Sequence, residues 1–246
     1  MLRQVEPQVL LQAVLQVTPQ VPHDNKGLYV DNGLTVIYYT NNKEKPAFAE
    51  RIQKKLLENI GDLPLVSVSQ KPMEFGHNIC VGDVGSSTQN TWRQFQIGAR
   101  EAKTRFVATA EADCLYPPEY FQHRPPDENV ISYAKPMWLA YARKTPIYIP
   151  KRAGSFGASI MERNKAIDII EKALEPIGQW GDVDEADPIL DITRYLRRVF
   201  FIILHNIVSF KTNENLHHHP AMYRGICTCL PDWGEVDALM QEYMAP

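Results

Sequence analysis

The sequence lacks a long apolar run, a strong net charge and paired cysteines, which are typical of membrane-spanning, nucleic-acid-binding and secreted proteins. The strongly apolar run at residues 199–204 is much shorter than the ~20 residues of a membrane-spanning helix, so we expect no membrane span and interpret the run as core. A formal net charge of -3 gives no overall field that would attract nucleic acid or anionic lipid. The cysteines at 80, 114, 227 and 229 form no C-x-x-C pair, and no secretory signal is recognisable. We expect reduced thiols in a cytoplasmic protein.

Apolar residues are present in sufficient number for one sizeable core. They make up 44% of the 246 residues, which fits a single α/β domain with a short appendage. An apolar stripe of helical spacing runs from Val9 to Val17, and Pro19 and Pro22 interrupt it. We therefore expect an N-terminal helical appendage at 1–30 and one domain at 31–246.

The first half of the chain repeats a strand–helix–strand pattern. The run 34–39 predicts a strand buried on both faces, and a helix that begins at Pro46 places an apolar residue at every fourth position before Gly61. A second helix is predicted after a cap at Ser87 or Thr88. Further strands are predicted at 65–68, 79–81 and 105–110. Such crossovers favour parallel strands, so the pattern predicts a mostly parallel sheet flanked by helices.

The second half has a more mixed pattern. Short strands are predicted at 130–133, 138–142, 147–149 and 207–210. We expect a tight loop at 154–157, a helix at 161–174, and another helix that begins near Asp187-Pro188. Asp232 and Glu235 have the spacing of a capping box before a last amphipathic helix.

Two carboxylates follow the predicted strand 105–110 directly. Glu111 and Asp113 flank one small residue, Ala112. Ligands of open parallel sheets bind beyond the carboxyl ends of the strands, and two hard oxygen ligands at that place suit Mg²⁺ or Mn²⁺. The alternative interpretation is a solvated loop whose acids merely end a strand.

The surrounding residues resemble a known family. The matching parts are the polar stretch 40–42 after the first strand, the helix that carries Asn90, Arg93 and Arg100, and above all the segment 110–121, which reads A-E-A-D-C-L-Y-P-P-E-Y-F. This pattern is similar to the nucleotide-binding half of GT-A-fold nucleotide-sugar glycosyltransferases of the inverting, family-2-like kind, which include soluble phage enzymes. Close relatives often read E-D-D where this chain has Ala in the middle position.

The resemblance implies a fold and a donor. The fold would be α/β of the GT-A (Rossmann-like) type, a mostly parallel central sheet flanked by helices with a smaller mixed second half. Residues 31–121 would bind the nucleotide sugar, a UDP-sugar above all, and 122–246 the acceptor.

The same resemblance implies a set of binding residues in a hexosyltransferase. Thr40 and Asn41 would lie near the nucleoside, and Asp113, more directly than Glu111, would hold Mn²⁺ or Mg²⁺. Arg93 would meet phosphate, although an arginine on an amphipathic helix is often a surface residue.

An inverting transfer also needs a base that takes the proton of the acceptor hydroxyl. The resemblance places it among Asp182, Asp184 and Glu185, and we favour Asp184 or Asp182; acids at a helix N-terminus are also explained by the helix dipole alone. The loop 154–158 would lie under the sugar or the acceptor, or be a plain turn.

Three consecutive histidines, 217–219, have three interpretations. Some relatives use a late histidine as a further metal ligand, and in an extended segment His217 and His219 share a face. A zinc site with Cys227 and Cys229 is the second interpretation, although C-x-C is a poor zinc spacing. A polar loop is the third.

The acceptor and two other functions stay open. A carbohydrate hydroxyl or a 5-hydroxymethylpyrimidine base in DNA would serve as acceptor. Nucleotidyl transfer would require a loop rich in glycine and lysine after the first strand, where residues 40–45 contain no glycine. A non-catalytic nucleotide-sugar-binding module is the remaining alternative, and the oligomeric state is not predicted.

Overall fold

The computed structural model describes residues 33–142, 144–175, 180, 195–212 and 225–245. The predicted appendage at 1–30 and the helix near Asp187-Pro188 lie outside the described residues. None of the described helices is long and apolar enough to cross a membrane.

The first half of the domain forms the elements that its pattern predicts. They are β1 (Leu34–Thr40), α1 (Pro46–Ile60), β2 (Leu65–Ser69), β3 (His77–Cys80), α2 (Thr88–Glu101) and β4 (Phe106–Glu111). Helix α1 buries its apolar positions Phe48, Ile52, Leu56 and Ile60. Its C-cap residue is Gly61, whose φ of 57° lies in the region that favours glycine.

Helix α2 begins with a side-chain cap. The hydroxyl of Ser87 accepts the backbone N–H of Asn90 at 3.1 Å, which satisfies one donor of the first turn. The inner face of α2 is buried, as its spacing predicts, and Gly98 lets the helix approach Ile37 of β1 closely. The strand β1 is therefore covered on both faces, by α1 on one and by α2 on the other.

The second half is built mostly from strands. Its elements are β5 (Cys114–Leu115), a 3-10 helix (Pro118–Gln122), β6 (Val130–Tyr141), β7 (Ile147–Pro150), a 3-10 helix (Phe156–Ala158), β8 (Ser159–Glu162), α3 (Arg163–Leu174), β9 (Arg197–Lys211), β10 (Cys229–Leu230), β11 (Gly234–Glu235) and α4 (Val236–Met244).

Strands β1 to β9 form one sheet in the order β3-β2-β1-β4-β8-β6-β9-β5, with β7 paired to β6. Strands β1 to β4 are parallel to one another. Because β8 is antiparallel to both β4 and β6, β6 runs in the direction of β4, and so does β9, which pairs with β6 in parallel. Only β5, β7 and β8 of these described strands run the opposite way. The structure confirms the α/β class with a mostly parallel sheet and a mixed second half.

Two predictions for the middle of the chain were wrong in detail. The strands predicted at 130–133 and 138–142 are one strand, β6, because Pro136 lies where the pairing with β9 changes register and needs no ladder hydrogen bond. The helix predicted from 161 begins at Arg163, since the residues before it form β8 between β4 and β6.

The interpretation of 199–204 as core was wrong for alternate residues. The run belongs to β9, where Ile203 is 7% exposed but Ile202 and Leu204 are 79% and 89% exposed. Between two paired positions β6 advances from Lys135 to Met137 while β9 advances from 202 to 207. The exposed residues 200 and 202 precede this bulge, so the outward positions follow from the ordinary alternation of side chains along a strand.

The predicted capping box at the last helix was also wrong. Helix α4 buries Val236, Leu239, Met240 and Tyr243 as expected, but its N-cap residue is Glu235, without a side-chain cap. The carboxylate of Asp232 instead accepts the backbone N–H and the side-chain amide of Asn206. A long-range contact therefore replaces the local one.

Candidate active site

A cavity of about 440 Å³ opens beyond the carboxyl ends of β1, β2 and β4. Its floor is formed by the ends of these strands, and one wall by the segment 85–92 at the N-terminus of α2. The other sides are closed by Lys151, the loop 154–157 and Lys211, the last residue of β9. The cavity thus lies where an open parallel sheet places its ligands.

The acid pair, Glu111 and Asp113, lies in this cavity. Glu111 is the last residue of β4, and Asp113 is buried in the turn before β5. Together with Cys114 they form a cluster whose potential ligand atoms all lie within 4.8 Å of one another. Two carboxylates at this separation can bind one divalent cation.

The carboxylate of Glu111 is held from two directions. The hydroxyl of Tyr39 donates to its Oε1 at 3.1 Å. On the other side it lies against the backbone of Gly157, where a Cβ atom would approach Oε2 to 2.2 Å. Burial, followed by the negative charge of Asp113, raises the pKa of the Glu111 carboxyl above its usual value. A positive charge nearby would therefore stabilise the ionised pair.

Asp113 already has such a charge beside it. The ammonium of Lys211 lies 3.4 Å from its Oδ2, and the hydroxyl of Ser209 donates to the same oxygen at 3.3 Å. Burial alone would lower the pKa of Lys211, but the negative charge of Asp113, with that of Glu111 in addition, outweighs it and raises that pKa. The lysine is therefore a permanent cation of the site at neutral pH.

The thiol of Cys114 completes the surroundings of the acid pair. It donates to Oδ1 of Asp113 at 3.3 Å. Burial, with the charges of Asp113 and Glu111 in addition, raises the pKa of this thiol well above its usual value. It stays protonated, so the oxygen atoms of the pair are the available ligands, and these suit Mg²⁺ or Mn²⁺ better than zinc.

The two residues predicted near a nucleoside, Thr40 and Asn41, both line the cavity. The side-chain amide of Asn41 donates to Ser86 at 2.9 Å, which joins the end of β1 to the loop before α2. The buried amide of Gln94 donates to the carbonyl groups of Thr40 and Val68, so it ties the ends of β1 and β2 together. These bonds give the polar wall a defined shape.

Arg93 lies elsewhere. Among the described residues it is not part of the cavity lining, although its neighbours Trp92 and Gln94 are. Its guanidinium lies over the ring of Trp180, 5.9 Å from the ring centre, and burial lowers its pKa. The predicted contact of Arg93 with phosphate stays a prediction.

The loop predicted at 154–157 does reach the cavity. Phe156 packs among aromatic rings, with its ring centre 3.6 Å from that of Trp92 and 6.1 Å from that of Tyr39. The glycines allow close approach to protein groups: a Cβ at Gly154 would touch the ring of Tyr133. The loop thus packs closely against its neighbours and forms a wall of the cavity.

Two lysines of the site were not predicted. Lys211 ends a strand that runs in the same direction as β4, so the rule that pointed to Glu111 applies to it once the strand direction is known. Lys151 also lines the cavity, and its ammonium donates to Ser155 at 2.8 Å. It follows the antiparallel strand β7, and no local pattern marks it.

Several predicted residues cannot be placed. The candidate bases Asp182, Asp184 and Glu185 and the candidate ligands His217 and His219 lie outside the described residues and stay predictions. Cys227 and Cys229 have free thiols. In the described ranges, the acid pair with Cys114 is the one group of at least three potential metal ligands.

Comparisons with known proteins give distant structural likenesses. No protein-family profile and no curated protein sequence matches this chain. Among solved structures, a glycosyltransferase involved in the glycosylation of the major capsid of PBCV-1 is 13% identical, with a TM-score of 0.40, over 69% of this chain and 82% of that one. The mannosyltransferase PcManGT of Pyrobaculum calidifontis, in complex with GDP-Man and Mn²⁺, is 14% identical, with a TM-score of 0.43, over 82% and 64%.

A third solved structure is a TarS fragment of S. aureus in complex with UDP-GlcNAc. It is 10% identical, with a TM-score of 0.45, over 74% of this chain and 59% of that one. This chain thus spans less than two thirds of the length of the last two proteins. At TM-scores below 0.5, these likenesses do not establish the function of this chain.

Proposed function

We propose that this chain is a divalent-cation-dependent glycosyltransferase that moves a sugar from a nucleotide-diphosphate sugar to a hydroxyl acceptor. One observation carries the proposal: the acid pair lies in a cavity at the carboxyl ends of parallel strands, beside two lysines and a polar wall. The resemblance of residues 110–121 to the GT-A pattern agrees with this placement. A UDP-sugar is the proposed donor.

The acid pair fits Mn²⁺ or Mg²⁺. Its carboxylate oxygens are hard ligands, and the neighbouring thiol stays protonated. When bound, the cation would stabilise the negative charge of the departing diphosphate. Asp113 and Glu111 would hold it, and the hydroxyl of Tyr39 would keep the Glu111 carboxylate in position.

The rest of the cavity fits a nucleotide sugar in size and chemistry. Its volume of about 440 Å³ is within the ordinary range of small-molecule sites. Thr40, Asn41 and Ser86 offer hydroxyl and amide groups to the nucleoside, while Lys151 offers a positive charge. Trp92 and Phe156 supply apolar surface, which helps to exclude water.

For the transfer itself we propose an inverting displacement. A carboxylate of Asp184, Asp182 or Glu185 would take the proton of the acceptor hydroxyl as that oxygen attacks the sugar carbon. The acceptor would be a carbohydrate, with a hydroxymethylated pyrimidine of DNA as the alternative. His219 or His217 would add a metal ligand.

The experiment compares Asp113→Asn with the matched control Asp62→Asn, which removes the same charge at an exposed turn. Titration calorimetry with Mn²⁺ and UDP-sugars should show binding to the wild type and the control but none to Asp113→Asn. A UDP-release assay should show cation-dependent turnover with the same pattern. Turnover that survives in Asp113→Asn would remove the acid pair from the reaction. Binding without turnover in the wild type would favour a non-catalytic module.

A further inference from the structure

Lys211 reaches the acid pair from a strand distant in sequence. Its ammonium and the carboxylate of Asp113 form an ion pair at 3.4 Å, in which the two side chains are 10% and 11% exposed. Both residues line the same cavity as Glu111 and Thr40. The ion pair is thus shielded from solvent and lies inside the proposed ligand site, unlike an ordinary surface pair.

The fold holds the lysine in this place. The strands β5 and β9 pair Cys114 with Ser209, and the backbone N–H of the next residue, Phe210, donates to the carbonyl group of Asp113 at 2.8 Å. Beyond the lysine, the hydroxyl of Thr212 donates to Glu44 at 3.1 Å. The backbone is therefore bonded on both sides of Lys211, and only its flexible stem can move.

The charges of the acid pair and Lys211 suit a cation and a nucleoside diphosphate together better than they suit a cation alone. The acid pair carries two negative charges when ionised, and the fixed ammonium cancels one of them. A cation that arrives alone meets a half-neutralised site and must compete with the ammonium for Asp113. A nucleoside diphosphate brings additional negative charge, to which a lysine with three donors can turn.

We propose that Lys211 couples binding of the cation to binding of the nucleotide. It lowers the affinity of the acid pair for a cation alone, and it donates to the diphosphate once cation and nucleotide are both bound. This inference rests on the proposed function and names a residue of that same site. Linkage requires the effect to be reciprocal, so the nucleotide must also raise the affinity for the cation.

The test uses Lys211→Met, with Lys172→Met as control, because Lys172 is an exposed lysine that pairs with Asp168 on α3. Electron paramagnetic resonance of free Mn²⁺ measures the affinity for the cation alone. Calorimetry with UDP at saturating Mn²⁺ measures the affinity for the nucleotide. In Lys211→Met we expect Mn²⁺ alone to bind about tenfold tighter and UDP about tenfold weaker, each a change of ~1.4 kcal/mol. The control should match the wild type.

A conservative variant completes the design. Lys211→Arg keeps the charge, so its affinity for UDP should stay within about threefold of the wild type. If Lys211→Met does not fold, Lys211→Gln replaces it as the uncharged variant and is compared with Lys211→Arg. Opposite shifts of the two affinities in the uncharged variants, with recovery in the arginine variant, support the inference.

The outcomes separate this inference from the proposed function. If Lys211→Met only lowers the melting temperature and leaves both affinities unchanged, the ion pair is structural and the inference is overturned while the proposed function stands. If Mn²⁺ and UDP both bind more weakly, the lysine does not compete with the cation, which also overturns it. If the wild type binds neither Mn²⁺ nor UDP, the proposed function fails, and this inference fails with it.

Discussion

The cavity is built where the ends of two strands meet, β4 with its acids and β9 with its lysine. All residues of β4 before Glu111 are buried, and its sequence predicts a buried strand. Strand β9 is longer, and in its apolar run the exposed residues 200, 202 and 204 alternate with less exposed ones, of which Ile203 is buried. The two strands supply opposite charges to one site, yet the sequence predicts β4 almost completely and only the part 207–210 of β9 as a strand.

The reason lies in what surrounds each strand. Strand β4 has a parallel neighbour, β1, and an antiparallel one, β8, and helices cover its faces, so every position before its end is buried and only Thr109 among them is polar. Strand β9 pairs with β6 at 197–202 and 207–211, but with β5 only at Val208 and Ser209. Its exposed part is not enclosed in this way, so hydrophobicity there does not report burial.

The largest effect on stability is expected when a buried and an exposed residue of the apolar run in β9 are compared. Ile203→Ala removes a buried side chain and should lower the free energy of unfolding by about 2 to 5 kcal/mol. Leu204→Ala, one residue on, removes a side chain that is 89% exposed and should change it by less than about 0.5 kcal/mol. Urea unfolding of the two variants measures both values.

Equal losses for the two variants would contradict the alternation in β9. The run would then be core throughout, as the sequence alone predicts. A loss in Leu204→Ala only would mean that the strand is shifted by one residue.

An intermediate effect is expected at the acid end of β4. In Gly157→Ala the added methyl group would overlap the Glu111 carboxylate. The carboxylate would have to move, and it can do so because it is the flexible end of its side chain. The affinity for Mn²⁺ should fall by about tenfold, while thermal unfolding changes little. Paramagnetic resonance of free Mn²⁺ and a melting curve give the two readouts.

The companion variant is Tyr39→Phe, which removes the hydrogen bond to Glu111 without adding an atom. It should weaken Mn²⁺ binding by less than Gly157→Ala does. Unchanged affinity in both variants would show that the position of Glu111 does not matter for the cation.

The smallest effect concerns His123, which stacks on Phe201 of β9 with ring centres 3.7 Å apart. Burial, followed by the charge of Arg124, lowers the pKa of His123 to about 4, against about 6.5 in an unfolded chain. The unfolded state therefore binds this proton first, so stability falls as pH drops from about 6.5 to about 4 and is unaffected above that window. His123→Phe keeps the stack and should show a smaller decline of the melting temperature in this window.

Wild type and His123→Phe should run parallel between pH 7 and 8, which serves as the internal control. Curves that stay parallel down to pH 4 would show that the pKa of His123 is not lowered in the folded protein, which would contradict its burial beside Phe201.

The secondary structure of the first half could be predicted almost residue by residue. The spacing of Phe48, Ile52 and Leu56 is a local property of one helix, and so is the cap at Ser87. The second half could not be predicted as well, because β6, β8 and β9 obtain their limits from pairing with distant strands. The capping-box spacing at Asp232 failed for the same reason, since Asn206 offered this carboxylate a long-range partner.

Short-range patterns along the chain were sufficient to locate the α/β architecture and the acid pair, because a buried strand and the polar residues that end it are neighbours in sequence. Packing in three dimensions was necessary to bring Lys211 to Asp113 and Gly157 to Glu111, and to turn Leu204 outward. Those contacts join residues far apart in the chain, and their positions depend on strand direction and register, which no local pattern encodes.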